Sequence, residues 1–309
     1  MKAAQINQYG SPDVIKIVDI DKPAPGEGQI LVELRAASLN PFDYKLRKGF
    51  MKDMMPLQFP ITIGADFAGV VVEGSDDYRP GDEVFGSAII LNGGSGALAE
   101  FATANTQNIA LKPKNVSFQQ AAAAVLTGVS ALQAVNQLDL GPGKKVLIHG
   151  GAGGIGSTAI QYAKHLGAHV ATTAAAKDKD FVTGLGADEV VDYETQKFEE
   201  VMHGYDAVFD IVGGETQARS FAVLKEGGIM VSMFGQPDET LAAEHKVTGI
   251  AQNTQVNTAS LNQLKKLIED GVIKPQIDRE FPLDQTAEAF KHLETGSPQG
   301  KVVVRIKTS

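Results

Sequence analysis

Short, largely apolar runs broken by polar residues recur over the first part of the chain, at residues 2–6, 15–19, 30–37, 67–73, 83–87 and 97–103. Runs of this length bounded by turn formers predict strands. Turn formers such as Pro25-Gly26-Glu27-Gly28 and Pro80-Gly81-Asp82 separate the runs. Residues 1–117 therefore read as a compact, mostly antiparallel β module. The pattern changes at Phe118. An alanine-rich helix is predicted over 120–138, and strand signals at 146–148, 169–173, 190–191, 207–211 and 229–233 then alternate with helix-length segments. That alternation predicts a doubly wound parallel sheet over 118–257, and an α/β fold class. A periodic helix at 261–269, a helical stretch at 287–293 and a strand at 302–306, too short to stand alone, close the chain. No internal repeat, low-complexity tract or flexible linker interrupts it.

One junction in the second half carries chemistry. The run Val146-Leu147-Ile148 empties into Gly151-Ala152-Gly153-Gly154-Ile155-Gly156, after which Ala159, Ile160 and Ala163 continue from Ile155 at helical spacing. A G-x-G-x-x-G turn is a weak signal alone and a strong one between a strand and a helix. Gly151 is expected to permit the tight turn, Gly153 to let a pyrophosphate approach the backbone, and Gly156 to let helix and strand pack closely. The helix N-terminus, with unpaired N–H groups and a positive dipole end, would hold the pyrophosphate. The chain is expected to bind a dinucleotide.

The second strand indicates which one. An NAD site places an acid at the end of that strand, roughly 20 residues on, to bond the ribose 2′-hydroxyl. Here the position due for the acid is Ala174, and the first charge that follows is Lys177. A carboxylate would repel a 2′-phosphate whereas Lys177 would attract it, so NADP(H) is favoured. A solvated lysine is the competing reading, and Asp178 could serve the ribose hydroxyls if the strand runs longer.

Composition narrows the class. The 309 residues predict about two domains. A net charge of −9 argues against nucleic acid or an anionic membrane as the main partner. No apolar run reaches the ~18 residues needed to span a bilayer, and the N-terminus lacks a signal core, so the cytoplasm is the default. The absence of cysteine removes disulfides, thiolate nucleophiles and cysteine-bound zinc. His165 and His169 are four apart, but His169 begins a predicted strand, so the two do not share a helical face. No metal site is expected. His149, beside the glycine turn, reads as a structural hydrogen-bonder.

The order of further motifs is specific. Ser38-Leu39-Asn40-Pro41-Phe42-Asp43-Tyr44-Lys45-Leu46-Arg47-Lys48-Gly49, Ile63-Gly64-Ala65-Asp66-Phe67-Ala68-Gly69-Val70-Val71 and Pro80-Gly81-Asp82-Glu83-Val84-Phe85-Gly86 occupy the first half. Leu126-Thr127-Gly128-Val129-Ser130-Ala131, Phe209-Asp210-Ile211-Val212-Gly213-Gly214 and Gly300-Lys301-Val302-Val303-Val304 follow. Over essentially its whole length the chain resembles the medium-chain dehydrogenases/reductases, and within them the zinc-free quinone oxidoreductase (zeta-crystallin-like) and alkenal/enone reductase branch. The resemblance implies a GroES-like β-rich catalytic domain, made of residues 1–117 and 258–309, facing a Rossmann domain across a cleft. It also implies a homodimer joining the Rossmann sheets edge to edge through residues 249–256.

Departures from the family are informative. Its alcohol dehydrogenases hold zinc through a Cys, a Gly-His-Glu motif and a second Cys or Asp; here the middle motif is Gly64-Ala65-Asp66. Without that Lewis acid, hydride transfer from NADPH to an electron-poor quinone, enone or alkenal is the natural chemistry, and it needs positioning and an oxyanion partner. The resemblance sets Asn40 at the nicotinamide side, Thr127 beneath the nicotinamide, and Val212 and Gly213 against the cofactor. It sets Tyr193 beside the 2′-phosphate. Lys45 stands where quinone oxidoreductases often have Tyr and enone reductases often have Lys, so its ammonium is the candidate enolate partner. Tyr44 points elsewhere if this segment is extended, and lines the cleft if it is helical. Phe234 and the Met-rich loop at 50–56 are candidate pocket walls, and Asp43 and Asp66 read as structural. Two alternatives stay open: an enoyl-thioester reductase, with Lys45, Arg47, Lys48 and Lys52 as a basic entrance, and a non-catalytic NADPH-binding structural or RNA-binding protein.

Overall fold

The computed structural model describes residues 1–307 and divides into two compact units. The first comprises residues 1–126, 256–269 and 275 onward; the second comprises 127–255 and 270–274. The division falls inside the helix Phe118–Asn136.

In the first unit a seven-stranded sheet runs in the order Ile277–Pro282, Lys301–Arg305, Gln29–Ser38, Asp66–Glu73, Glu83–Ser87, Ile109–Leu111, with Phe101–Asn105 also paired to Gln29–Ser38. All pairs are antiparallel except Ile277–Pro282 with Lys301–Arg305. A three-stranded sheet of Lys16–Asp19, Lys2–Ile6 and Ile61–Thr62 accompanies it. Phe67, Leu98, Phe290 and Val302 meet in the apolar core. The terminal strand finds its partner at Ser38, Ala37 and Ala36, which explains how so short a strand is held.

The second unit is a six-stranded parallel sheet. Its order is Glu189–Asp192, His169–Ala174, Lys145–Ile148, Tyr205–Asp210, Leu224–Ser232, Thr248–Ala251, which in chain order reads 3-2-1-4-5-6. The α/β, GroES-like-plus-Rossmann architecture of the resemblance is thus observed. Val146, Leu147 and Ile148 are fully buried, as expected of a central strand covered on both faces.

Of the two conformations left open for residues 41–48, the helix is the one observed, Pro41–Lys48. Its signals were present: Asn40 at the N-cap, proline in the first turn, Asp43 at the third helical position, and Gly49 at φ 79° closing the C-terminus. The strand expected at 97–103 is displaced to Phe101–Asn105. The sheet edge is Thr248–Ala251, shorter than 249–256 and starting one residue earlier.

The basic entrance does not form. Arg47 is fully buried, donates to the Gly10 carbonyl and pairs with Glu294 on the helix Thr286–Thr295, while Lys48 meets the same carboxylate at 2.6 Å. These contacts clamp one helix to the other. Arg47→Ala is expected to cost roughly 3 kcal/mol in urea unfolding, because it empties a fully buried site and takes the donor from the Gly10 carbonyl and from one Glu294 oxygen. Lys48→Ala, half-exposed, is expected to cost under about 1 kcal/mol.

Candidate functional site

The candidate residues fall into two sets, one in each unit. In the second unit the glycine turn follows the central strand Lys145–Ile148. The positive φ that makes the turn belongs to Gly150, at 62°, rather than to Gly151. Gly151 is required for another reason: a Cβ there would lie 2.1 Å from Thr172 Oγ1. At Gly156 a Cβ would lie 2.3 Å from the Gly150 carbonyl, so the helix Gly154–His165 approaches the turn too closely for any side chain. At Gly153 the nearest atom would be 3.5 Å away, an ordinary van der Waals contact, so a methyl group would fit there. Ser157 N–H to Gly153 O is the first helical bond, so the N–H groups of Gly154, Ile155 and Gly156 lie outside the ladder. Ala152 is half-buried in the turn.

A directed hydrogen-bond chain holds this turn. Ser220 Oγ donates to Thr216 O at 2.6 Å, and so accepts from His149 Nε2 at 2.8 Å. His149 Nδ1 then accepts from Thr173 Oγ1 at 3.2 Å, which itself accepts the Gly150 N–H at 3.1 Å. Burial lowers the His149 pKa to about 4, keeping the ring neutral in this chain. His149 is the structural hydrogen-bonder expected.

The next loop is organised by a group that sequence reasoning missed. The Asp210 carboxylate, fully buried, accepts from Val212 N (3.0 Å), Gly213 N (2.8 Å), Ser232 Oγ (2.7 Å) and Gln217 Nε2 (3.3 Å). Its place in Phe209-Asp210-Ile211-Val212-Gly213-Gly214 was the available signal. Gly213, at φ 79°, packs under Phe234, where a Cβ would meet the ring at 2.7 Å. Phe234 and Val212 are both about half-exposed, at 53% and 48%.

These loops converge on a cavity of about 430 Å³, lined by His149, Gly150, Thr173, Tyr193, Val212 and Arg219 among others. It lies at the carboxyl ends of the first four parallel strands, where the strand order reverses and α/β sheets bind ligands. Lys197 and Arg219 also line it, and both were overlooked. Lys197 pairs with Glu200 at 3.0 Å and Arg219 with Glu199 at 3.0 Å.

The strand His169–Ala174 runs one residue further than expected, so Ala174 is its last residue. Ala174 O accepts the Tyr193 N–H at 3.3 Å, which sets Tyr193 against that strand end, and Lys177 is exposed in the one-turn helix Ala176–Asp178. Asp178 is 4% exposed, so it does not face solvent as a ribose partner. Thr127 is buried in the helix Phe118–Asn136 and, like Lys177 and Phe234, is not a wall of the cavity.

The first-unit set contains Asn40, Tyr44 and Lys45. Tyr44, on the helix, packs against the apolar core with Lys48 Nζ 5.2 Å from its ring centroid. Lys45 is half-buried on the same helix. Asn40, 1% exposed, sits in a cluster with Asp43, Asp66 and Lys301. Its Nδ2 donates to Asp66 Oδ2 at 2.8 Å, its Oδ1 accepts from Lys301 Nζ, and its backbone N–H donates to Asp43 Oδ2 at 2.7 Å. Asp66 Oδ2 also accepts the Leu126 N–H at 3.2 Å, and Lys301 Nζ donates to Leu39 O at 2.6 Å. Burial, and then the Asp66 charge, push Asp43 up to about 7. Burial also raises Asp66 and lowers Lys301, each opposed by the other's charge.

A zinc site of the alcohol-dehydrogenase kind does not fit these residues. The chain has no cysteine, Ala65 stands in the ligand position, and Asp66 is committed to Asn40 and Leu126. Among the described residues no three His, Asp or Glu side chains are grouped to hold a metal, and no helix is long and apolar enough to cross a membrane.

Comparison with known proteins fits this geometry. Residues 26–114 match the alcohol dehydrogenase GroES-like domain, and residues 185–304 match the zinc-binding dehydrogenase family. The 2-methylene-furan-3-one reductase of Solanum lycopersicum is 38% identical over 98% of this chain and 79% of its own length. The chloroplastic NADPH-dependent alkenal/one oxidoreductase of Arabidopsis thaliana is 38% identical with the same coverage. The solved quinone oxidoreductase of Coxiella burnetii superposes with a TM-score of 0.91 at 36% identity, covering 99% of both chains. The chain belongs to the medium-chain dehydrogenase/reductase superfamily, among its quinone oxidoreductases and alkenal/one reductases.

The Asp43 carboxyl makes a testable contribution to stability. Its pKa in the fold is raised above its ordinary value, so the protonated form is favoured by folding, and that contribution is lost as pH climbs from about 4 to about 7. Charges on the packed helix Thr286–Thr295 do not offset this, since Glu294 is taken by Arg47 and Lys48. Asp43→Asn cannot ionise. Its melting temperature minus that of the wild type is expected to grow between pH 4 and pH 7 and to level off above.

Proposed function

We propose that this chain is an NADPH-dependent oxidoreductase that reduces quinones or α,β-unsaturated carbonyls without zinc. The observation that carries the cofactor is the glycine turn opening beside the cavity at the strand ends, with Ala174 where an NAD site needs an acid. The bare backbone at Gly153 would let a pyrophosphate approach, held by the N–H groups of Gly154, Ile155 and Gly156. Thr173, Tyr193, Val212 and Gly213 would take the adenosine half, and Lys177 with Tyr193 the 2′-phosphate. Thr127 and Asn40 are assigned to the nicotinamide. When bound, the reduced nicotinamide supplies the hydride. The Lys45 ammonium would stabilise the substrate oxygen as it gains charge, and a proton from Lys45 or an ordered water completes the reduction.

The names of the relatives support both acceptor classes. The enoyl-thioester alternative loses support because Arg47 is buried and Lys48 is paired. A cytoplasmic location stays part of the proposal, alongside relatives named as chloroplastic. So does a dimer, for which Thr248–Ala251, the end strand of its sheet among the described residues, offers an edge.

The direct test follows NADPH and NADH oxidation with 1,4-benzoquinone, 9,10-phenanthrenequinone and a series of enones. NADPH-selective turnover of enones, reduced about a hundredfold by Lys45→Ala, is expected. Turnover of quinones alone, indifferent to Lys45→Ala, would remove the oxyanion partner, and NADPH binding without turnover would favour a non-catalytic role. Equal use of NADH, unchanged by Lys177→Ala, would overturn the cofactor assignment.

The two glycines separate fold from binding. Gly153→Ala, with nothing to displace, is expected to keep the wild-type melting temperature while weakening NADPH binding about tenfold or more. Gly156→Ala is expected to lose both.

A further inference from the structure

The buried cluster of the first unit has a feature the proposed reaction does not use. Two carboxyls, Asp43 and Asp66, lie within electrostatic reach of one ammonium, Lys301, and all three are at most 5% exposed. An ion group of that kind is not built for stability, since apolar side chains of similar volume would serve as well or better. What it provides is orientation. The Asn40 carboxamide lies between the Asp66 carboxylate, which accepts from Nδ2, and the Lys301 ammonium, which donates to Oδ1. Charged partners at both ends leave only one of its two flipped orientations, because the reverse would set carboxylate against carbonyl and ammonium against amide N–H. The same Asp66 oxygen holds the peptide N–H of Leu126, the residue before Thr127. One carboxylate therefore ties together the chain at Asn40 and the helix turn that leads into Thr127.

We infer that Asp66 and Lys301 are positioning residues for the reaction, fixing the Asn40 carboxamide and the Val125–Leu126 peptide, one residue ahead of Thr127, in the geometry that turnover requires. This deepens the proposed function and rests on its assignment of Asn40 and Thr127 to the nicotinamide. Asp43 makes the device sensitive to protons. It accepts the Asn40 backbone N–H, and the charges facing it, Asp66 and Lys301, leave the cluster one negative charge in excess when all three groups are ionised. Uptake of one proton near neutrality relieves that excess and changes the acceptor beneath Asn40.

The test compares Asp66→Asn, Lys301→Met, Asn40→Ala and Asp43→Asn by steady-state kinetics from pH 5.5 to 9, with NADPH affinity from nicotinamide fluorescence and folding from circular dichroism. Asp66→Asn and Lys301→Met are expected to fold and to lower kcat by about tenfold or more, with NADPH affinity changed by less than about threefold. Lys301→Arg, which keeps the charge and a donor, is expected to recover part of the loss. Folded Asp66→Asn and Lys301→Met proteins with wild-type kcat, beside an inactive Asn40→Ala, would overturn the positioning role alone. An active Asn40→Ala would instead overturn the assignment of Asn40 on which the role rests. If the variants at 66 and 301 do not fold, the pH profile decides. A wild-type kcat that inflects near neutral pH and loses that inflection in Asp43→Asn supports the inference, and identical profiles overturn it.

Discussion

The second unit is built around one steric constraint: no side chain fits between the helix Gly154–His165 and the strand end at Gly150–Gly151. A Cβ at Gly156 would fall 2.3 Å from the Gly150 carbonyl, and one at Gly151 would fall 2.1 Å from Thr172 Oγ1. The helix is therefore drawn onto the end of the central strand, with its first-turn N–H groups aimed past it. Everything else at that edge of the sheet is arranged around this approach. Thr173 and His149 brace the turn from the neighbouring strand and from Ser220, and Asp210 gathers the next loop onto the same edge. Because the strands are parallel, all four loops emerge at one end, and a cavity at that end follows from topology.

Buried polar groups define the site more than apolar packing does. Asp210 meets four donors, His149 is neutral with a fixed tautomer, and Asn40 is held at both ends by charge. Each of these groups would be expensive if left unpaired, so each fixes one backbone segment in one place. The two units use the same device for different segments: a carboxylate that accepts backbone N–H groups next to residues the family assigns to the cofactor.

Much of this was legible in the chain. The glycine turn declared itself through its flanks, since Val146–Ile148 had to be a buried strand and the spacing from Ile155 to Ala163 had to be a helix. Ala174 was readable because a missing acid is visible at a fixed position. Helix Pro41–Lys48 was left open although its caps were in plain view, because five of its eight residues are charged or proline and its apolar face is short. The positive φ at Gly150 went to its neighbour for a similar reason: a run of glycines carries no record of which one turns. Lys301 and Asn40 are 261 residues apart in sequence, and Arg47 and Glu294 are 247 apart. No local pattern predicts such pairings, which appear only when the closing strand and the helix before it dock on the first unit. For that reason a row of four basic positions read as an entrance when one of them was a buried clamp.

The most direct measurement reduces an enone with NADPH carrying deuterium at the nicotinamide C4, on each face in turn, and locates the label in the product. With one of the two labelled cofactors the account predicts deuterium on the β-carbon of the saturated ketone and solvent hydrogen on the α-carbon. Deuterium on the carbonyl carbon of an allylic alcohol, or product with no label from either cofactor, would contradict it.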